Sequence, residues 1–125
     1  MSIFKVTLRA TDLLWTKYLR IKYKYTCQWC GRVYTPDNCR NFGTSHYFSR
    51  NHENVRFDED NTFPMCNIPC HNLEAKGKGN PAYDEFVLKR LGKERYDALV
   101  LRAHLYKKRD DTADKIILRE LLKEV

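Results

Sequence analysis

Cys27-Gln28-Trp29-Cys30-Gly31, followed much later by Cys66-Asn67-Ile68-Pro69-Cys70, decides the fold of this 125-residue chain. In the first pair a turn of two intervening residues lets two thiolates and their backbone amides converge on one ion. Gly31 suits the tight turn that follows. Two such pairs make a tetrahedral zinc site with Cys27, Cys30, Cys66 and Cys70 as ligands. A single C-x-x-C also occurs as a redox motif, but nothing here has the βαβ setting which that chemistry uses. The second pair is looser, with three intervening residues in place of two. Four thiolates leave no coordination position open, so the site is expected to be structural, tying the loop at 27–30 to a helix starting at Cys70. Metal binding of this kind contributes on the order of 10 kcal/mol of apparent folding free energy. Cys39, the fifth cysteine, is expected to be a small buried residue or a free thiol outside the ligand set.

The rest of the composition fits a chain that needs such a staple. Its length suits one compact domain over 1–125. Within it, 1–26 reads as a basic N-terminal helix, 27–79 as the zinc-stapled core and 80–125 as a helical C-terminal part. Hydrophobic residues make up 42%, slightly low, and charged residues 31%, above the usual quarter. No apolar run reaches membrane-spanning length, and none near Met1 has the form of a signal h-region. A cytoplasmic protein is therefore expected, and five cysteines in that compartment favour metal binding over disulfides.

The elements predicted around the cysteines give an α+β fold. Thr11 to Lys22 reads as a helix, with Leu14 and Tyr18, and Trp15 and Leu19, forming one apolar stripe. The span from Tyr25 to Asn72 is irregular, with a turn at Pro36-Asp37-Asn38 and strand character at Gly43–Ser49 and Asn54–Phe57. Asn80-Pro81 reads as a helix start and Gly92 as its end. A further helix is expected from Lys93 to about Tyr106. A last one should begin at Asp110-Asp111, with Ile117 and Leu121 facing inward and Ile116 beside them. One N-terminal helix and about three C-terminal helices would then flank the core.

The net charge of +7 is uneven. Residues 1–40 carry eight Lys or Arg against Asp12 and Asp37, whereas residues 41–70 carry Arg50 and Arg56 against four acids. A basic flank beside a mildly acidic centre suits a polyanion-binding surface around a cation site. The residues expected to hold nucleic acid are Lys17, Arg20, Lys22 and Lys24 around the first helix and Arg32 past the first cysteine pair. Lys76 and Lys78, in a glycine-containing segment, complete the set.

Between and after the cysteine pairs run His46, Asn61 and His71. Each alone is unremarkable, but their order suits hydrolysis of a phosphodiester. That reaction needs a base to deprotonate water, which a neutral imidazole such as His46 can be. It also needs charge neutralisation at the leaving oxygen, which a divalent ion supplies and which His71 could help bind. Asn61, from a loop, could fix the backbone of the turn bearing His46.

The stretch resembles the HNH nuclease motif, whose fold is two strands and a helix around a metal. Cys27-Gln28-Trp29-Cys30-Gly31, Ser45-His46-Tyr47, Val55-Arg56-Phe57-Asp58-Glu59, Asn61, the second cysteine pair, Gly79-Asn80, Tyr83 and Leu91-Gly92-Lys93-Glu94 follow one another as in the phage NinG/Rap recombination endonucleases. The resemblance covers most of residues 11–125. It implies a small ββα-metal core and metal-dependent cutting of branched or recombining DNA, in a phage or prophage setting. It also implies His46 as general base, Asn61 as the central Asn and His71 as ligand of a catalytic Mg²⁺ or Mn²⁺ ion, with a homodimer possible. Ser45 stands where many such enzymes carry Asp or His as a second metal ligand. Asp58, Asp60, Glu74 and His52 are the alternatives for that ligand. His71 stands where the NinG pattern ends in Asn.

Two other readings use part of the same sequence. A non-catalytic zinc-stapled module that binds nucleic acid accounts for the charge and the cysteines without His46 or His71. A zinc domain for protein interaction accounts for the cysteines alone.

Overall fold

The computed structural model describes residues 8–75, 79–105 and 110–125. It is an α+β arrangement in which a two-stranded sheet lies between helices. In chain order come helix α1 (Ala10–Lys22), strand β1 (Phe42–His46), strand β2 (Thr62–Cys66), a kinked helical segment (Asn67–Glu74), and helices α2 (Pro81–Leu91), α3 (Lys93–Ala103) and α4 (Asp111–Glu124). Two short 3-10 turns, Glu53–Val55 and Glu59–Asn61, lie between the strands. Among the described residues no helix is long and apolar enough to cross a membrane.

β1 and β2 pair antiparallel, with Phe42 opposite Cys66 and His46 opposite Thr62. All five residues of β2 are buried. Phe63 and Met65 belong to the larger core, while Thr62 accepts a hydrogen bond from Trp15 Nε1 of α1 at 3.2 Å. A strand covered on both faces has no polar face to alternate with, so Thr-Phe-Pro-Met-Cys lacks the period-two signature of a half-buried strand. The chain packs closely at its far end. A Cβ on Gly43 would fall 2.4 Å from Asn67 Oδ1, so only glycine fits there without displacing that side chain.

The strand expected at Asn54–Phe57 is not formed. Its span holds the end of a 3-10 turn and a further turn at Arg56-Phe57 instead. Two carbonyls that a partner strand would have engaged are taken by side chains: Asn61 Nδ2 donates to Val55 O at 3.0 Å, and His46 Nε2 lies 2.9 Å from Arg56 O. The other expected strand, Gly43–Ser49, starts one residue earlier and stops at His46. The next two amides turn to Asn61, Tyr47 N–H to its carbonyl at 2.9 Å and Phe48 N–H to its Oδ1 at 2.7 Å.

Two cores hold the helices. The larger gathers the sheet, the first cysteine loop, α2 and α3 around Tyr47, Phe63, Met65, Tyr83, Val87 and Leu99. The smaller joins α1 to α4 through Trp15, Tyr18, Leu19 and Leu118. The α4 face differs from expectation: Leu118, Leu121 and Leu122 turn inward, while Ile116 and Ile117 are 60% and 57% exposed. Positions 118, 121 and 122 form one i, i+3, i+4 stripe. Asn80 and Asp110 cap α2 and α4 by accepting hydrogen bonds from the first backbone amides of each helix. α2 ends at Leu91 before Gly92, and α3 ends at Ala103, short of Tyr106, which lies outside the described residues.

Candidate functional site

The four cysteines of the two pairs converge, their sulfurs all within 4.8 Å of one another. Cys27 Sγ lies 3.8 Å from Cys70 Sγ, and Cys30 Sγ 3.6 Å from Cys66 Sγ. A tetrahedron with Zn–S bonds of about 2.3 Å has edges of about 3.8 Å, so the set fits a zinc ion. Gly31, at φ +82°, takes the left-handed conformation that closes the knuckle. Ile68 sits in extended conformation inside the kinked segment Asn67–Glu74 and absorbs the extra spacer residue before Cys70. Burial pushes the Cys27 thiol up, but backbone N–H groups of Cys30, Cys66 and Trp29 donate to it and bring it down to about 7. Tyr34 Oη donates to Cys66 Sγ at 3.0 Å. Donors aimed at a sulfur favour its thiolate, the form a metal requires, while burial holds the Cys66 and Cys70 thiols above their ordinary value. Cys39, half-buried, stands outside the cluster, with its thiol 3.5 Å from Pro36 O.

His46 closes β1. Its Nε2 meets the Arg56 carbonyl, and a carbonyl can only accept, so the imidazole carries its proton on Nε2 and keeps the lone pair on Nδ1. That Nδ1 is buried and has no hydrogen-bond partner. Burial, with the Arg50 charge added, lowers the His46 pKa to about 4. The ring is therefore neutral across the ordinary pH range.

Asn61 is fully buried and uses its whole amide on the loop between the strands. Oδ1 accepts from Phe48 N–H, while Nδ2 donates to Phe48 O and Val55 O, both at 3.0 Å. It pins the backbone on both sides of the His46–Arg56 contact. Below this loop the Arg56 side chain, 2% exposed, donates to both carboxylate oxygens of Asp12 at 2.9 and 2.5 Å. Burial pushes the Asp12 carboxyl up, but the bonds from Arg56 and the Arg9 amide outweigh it and hold the group below its ordinary value. The pair ties α1 to the loop that carries the His46 acceptor.

His71 lies half-buried in the kinked segment, directly after a cysteine ligand. Burial and then the Arg50 charge push its pKa down, so both histidines stand in the field of one guanidinium. Arg50 Nε is buried without a hydrogen bond; Asp12 Oδ1 is 3.5 Å away, near enough for charge attraction but without hydrogen-bond geometry. The sequence reading did not single out Arg50. A basic residue four positions after His46, in a segment where acids outnumber bases, was the available signal.

Among the described residues the acids of the centre do not gather into a cation site. Asp58 pairs with Arg102 at 2.8 Å, Asp60 with Arg95 at 2.5 Å, and Glu59 with Lys22 at 2.7 Å. Glu74 accepts from Trp29 Nε1 and His52 Nδ1 faces Ser49 O. Ser45 points into the core, its hydroxyl 2.8 Å from Tyr83 Oη. Among the described residues, the four cysteines are the one group of three or more His, Cys, Asp or Glu drawn close enough to hold a metal.

The basic residues divide. Lys17, Lys24 and Arg32 are exposed. Arg20 is tied to the fold, donating to Phe42 O at 2.6 Å with its guanidinium over the Phe42 ring, and Lys22 is engaged by Glu59. Lys76 and Lys78 lie outside the described residues. Compared with protein-family models, curated proteins and solved structures, the chain matches none of them.

Proposed function

We propose that this chain is a metal-dependent DNA endonuclease of the HNH type, acting on branched or recombining DNA. The observation that carries the reading is the His46 imidazole, neutral, with its proton directed to Arg56 O and its Nδ1 lone pair unused. Nδ1 is buried in this structure, so in this reading it takes a proton from water attacking phosphorus once bound substrate admits water to that edge of the ring. Arg50 supports the reading, since its positive charge next to His46 suits a pentacoordinate phosphate. Asn61 and the Asp12–Arg56 pair hold the carbonyl that orients the base. A divalent Mg²⁺ or Mn²⁺ ion, held in this reading by His71, would supply charge neutralisation at the leaving oxygen. The four-cysteine zinc would serve the fold alone.

The test is incubation of purified protein with linear, nicked, flapped and four-way DNA, with and without added Mg²⁺ or Mn²⁺. Metal-dependent cutting lost in His46→Ala supports the reading. One observation favours the non-catalytic alternative, a zinc-stapled nucleic-acid-binding module: two of the acids expected near a second metal, Asp58 and Asp60, are engaged by arginines. DNA binding by wild type and His46→Ala alike, with no cutting by either, selects that alternative.

A further inference from the structure

Between the first cysteine pair and β1 the chain folds back on itself. Thr26 bridges Val33, and Thr35 bridges Asn38 around Pro36-Asp37. The fold leaves a cavity of about 370 Å³ lined by Arg32, Tyr34, Asn38, Arg40 and Asn41. Its floor is anchored to the second cysteine pair. Tyr34 donates to Cys66 Sγ at 3.0 Å and stacks on Phe42 with centroids 4.9 Å apart. Asn41 grips Ile68 through both ends of its amide, Nδ2 to Ile68 O at 2.8 Å and Oδ1 from Ile68 N–H at 3.1 Å.

The rim has the opposite character. Arg32 and Arg40 are exposed, and neither meets a carboxylate among the described residues. This sets them apart from Arg9, Arg56, Arg95 and Arg102, each ion-paired. The Asn38 side chain has no hydrogen-bond partner among the described residues, and the nearby acid, Asp37, does not line the cavity. Arg32 is held over the Tyr34 ring at 5.4 Å, which limits the freedom it would lose on binding.

We propose that this cavity is a phosphate-binding site for one nucleotide of a nucleic-acid strand, separate from the His46 face. Two guanidiniums present planar pairs of donors that match phosphate oxygens, and a free amide adds two more. The volume exceeds that of a phosphate and has room for the attached sugar. Contacts of this kind read the backbone, so they add affinity without sequence preference. The proposal rests on the nucleic-acid part of the proposed function and does not require cleavage.

The test measures binding of a labelled duplex oligonucleotide to the zinc-loaded protein, without added divalent ions, from 50 to 200 mM salt. Arg32→Gln/Arg40→Gln should bind about tenfold more weakly, with a salt slope smaller by about 0.9, the value for one phosphate. Asn38→Asp, near-isosteric and newly negative, should weaken binding in the same direction. Zinc content and circular dichroism should match wild type, since the three side chains lie at the rim. Inorganic phosphate at matched ionic strength should displace DNA from wild type more than chloride does, and this excess should vanish in the double variant. Wild-type affinity and slope in both variants overturn the cavity while leaving nucleic-acid binding intact. Binding of inorganic phosphate by a wild type that binds no DNA overturns the strand assignment in favour of a small anion.

Discussion

The Nε2 of His46 lies 2.9 Å from the main-chain carbonyl oxygen of Arg56, and this contact decides which edge of the imidazole is left with a lone pair. The acceptor is backbone, so no side-chain substitution removes it directly. Its place is set by Asn61 from above and by the Arg56–Asp12 ion pair from below.

His46→Ala should lower cleavage by about 10²–10⁴-fold, the usual contribution of a general base, with DNA affinity near wild type. Single-turnover cutting of a four-way junction measures this. A folded His46→Ala protein that cuts at the wild-type rate removes His46 from the chemistry.

The pH dependence follows from the same residue. In the unfolded chain His46 titrates near 6.5, and in the folded chain at about 4. Between those values the unfolded chain binds the extra proton, so stability falls as pH drops from about 6.5 to about 4. His46→Gln should flatten that part of the curve in urea denaturation followed against pH. For cleavage, the ring stays neutral, so His46 should contribute no loss of rate between pH 7.5 and 6.

Asn61→Ala should cost about 3 kcal/mol. It removes the Asn61 bonds to Phe48 N–H and Phe48 O, while Val55 O keeps the Asp58 N–H at 3.3 Å, and each buried group left unsatisfied costs about 1–3 kcal/mol, partly offset by relaxation. Equilibrium unfolding gives the number. A loss of cleavage larger than the loss of folded protein would show that the loop geometry matters for catalysis as well.

Asp12→Ala should destabilise by about 3 kcal/mol or more, because it removes the main carboxylate from a guanidinium that is 2% exposed. The double variant Asp12→Leu/Arg56→Met should recover part of that loss, since the buried Asp12–Arg56 charges are both gone while Arg50 and the Arg9 amide still lose Asp12. If the double variant is as unstable as the single one, the ion pair is not the source of the effect.

The purified protein should contain about one zinc per chain. Cys27→Ser or Cys66→Ser should lose the metal and unfold, while Cys39→Ser should unfold at the wild-type midpoint. Metal analysis combined with thermal melting reads all three. Folded wild-type protein without zinc would overturn the four-cysteine assignment.

The local signals were legible in the chain itself. The two cysteine pairs announced their convergence because metal-ligand spacing is a short-range property. The starts of α2 and α4, at Asn80-Pro81 and Asp110, were equally readable, since a cap is made within three residues of the helix it begins. Asn61 was readable as a clamp for the His46 turn, although its partners could not be named. What tertiary structure alone decided was the disposition of every buried polar group. Whether Val55 O and Arg56 O met a strand or a side chain depended on Asn61 and His46 arriving from elsewhere. Whether Asp58, Asp60 and Glu59 stayed available for a cation depended on Arg102, Arg95 and Lys22, each at least 35 positions away in the chain. β2 was hidden because burial on both faces erases alternation, and Leu118 rather than Ile117 faces inward because α1 set the azimuth of α4. A burial pattern within one segment is written in that segment, but the partner that satisfies a buried charge or carbonyl is chosen by packing between segments distant in the chain.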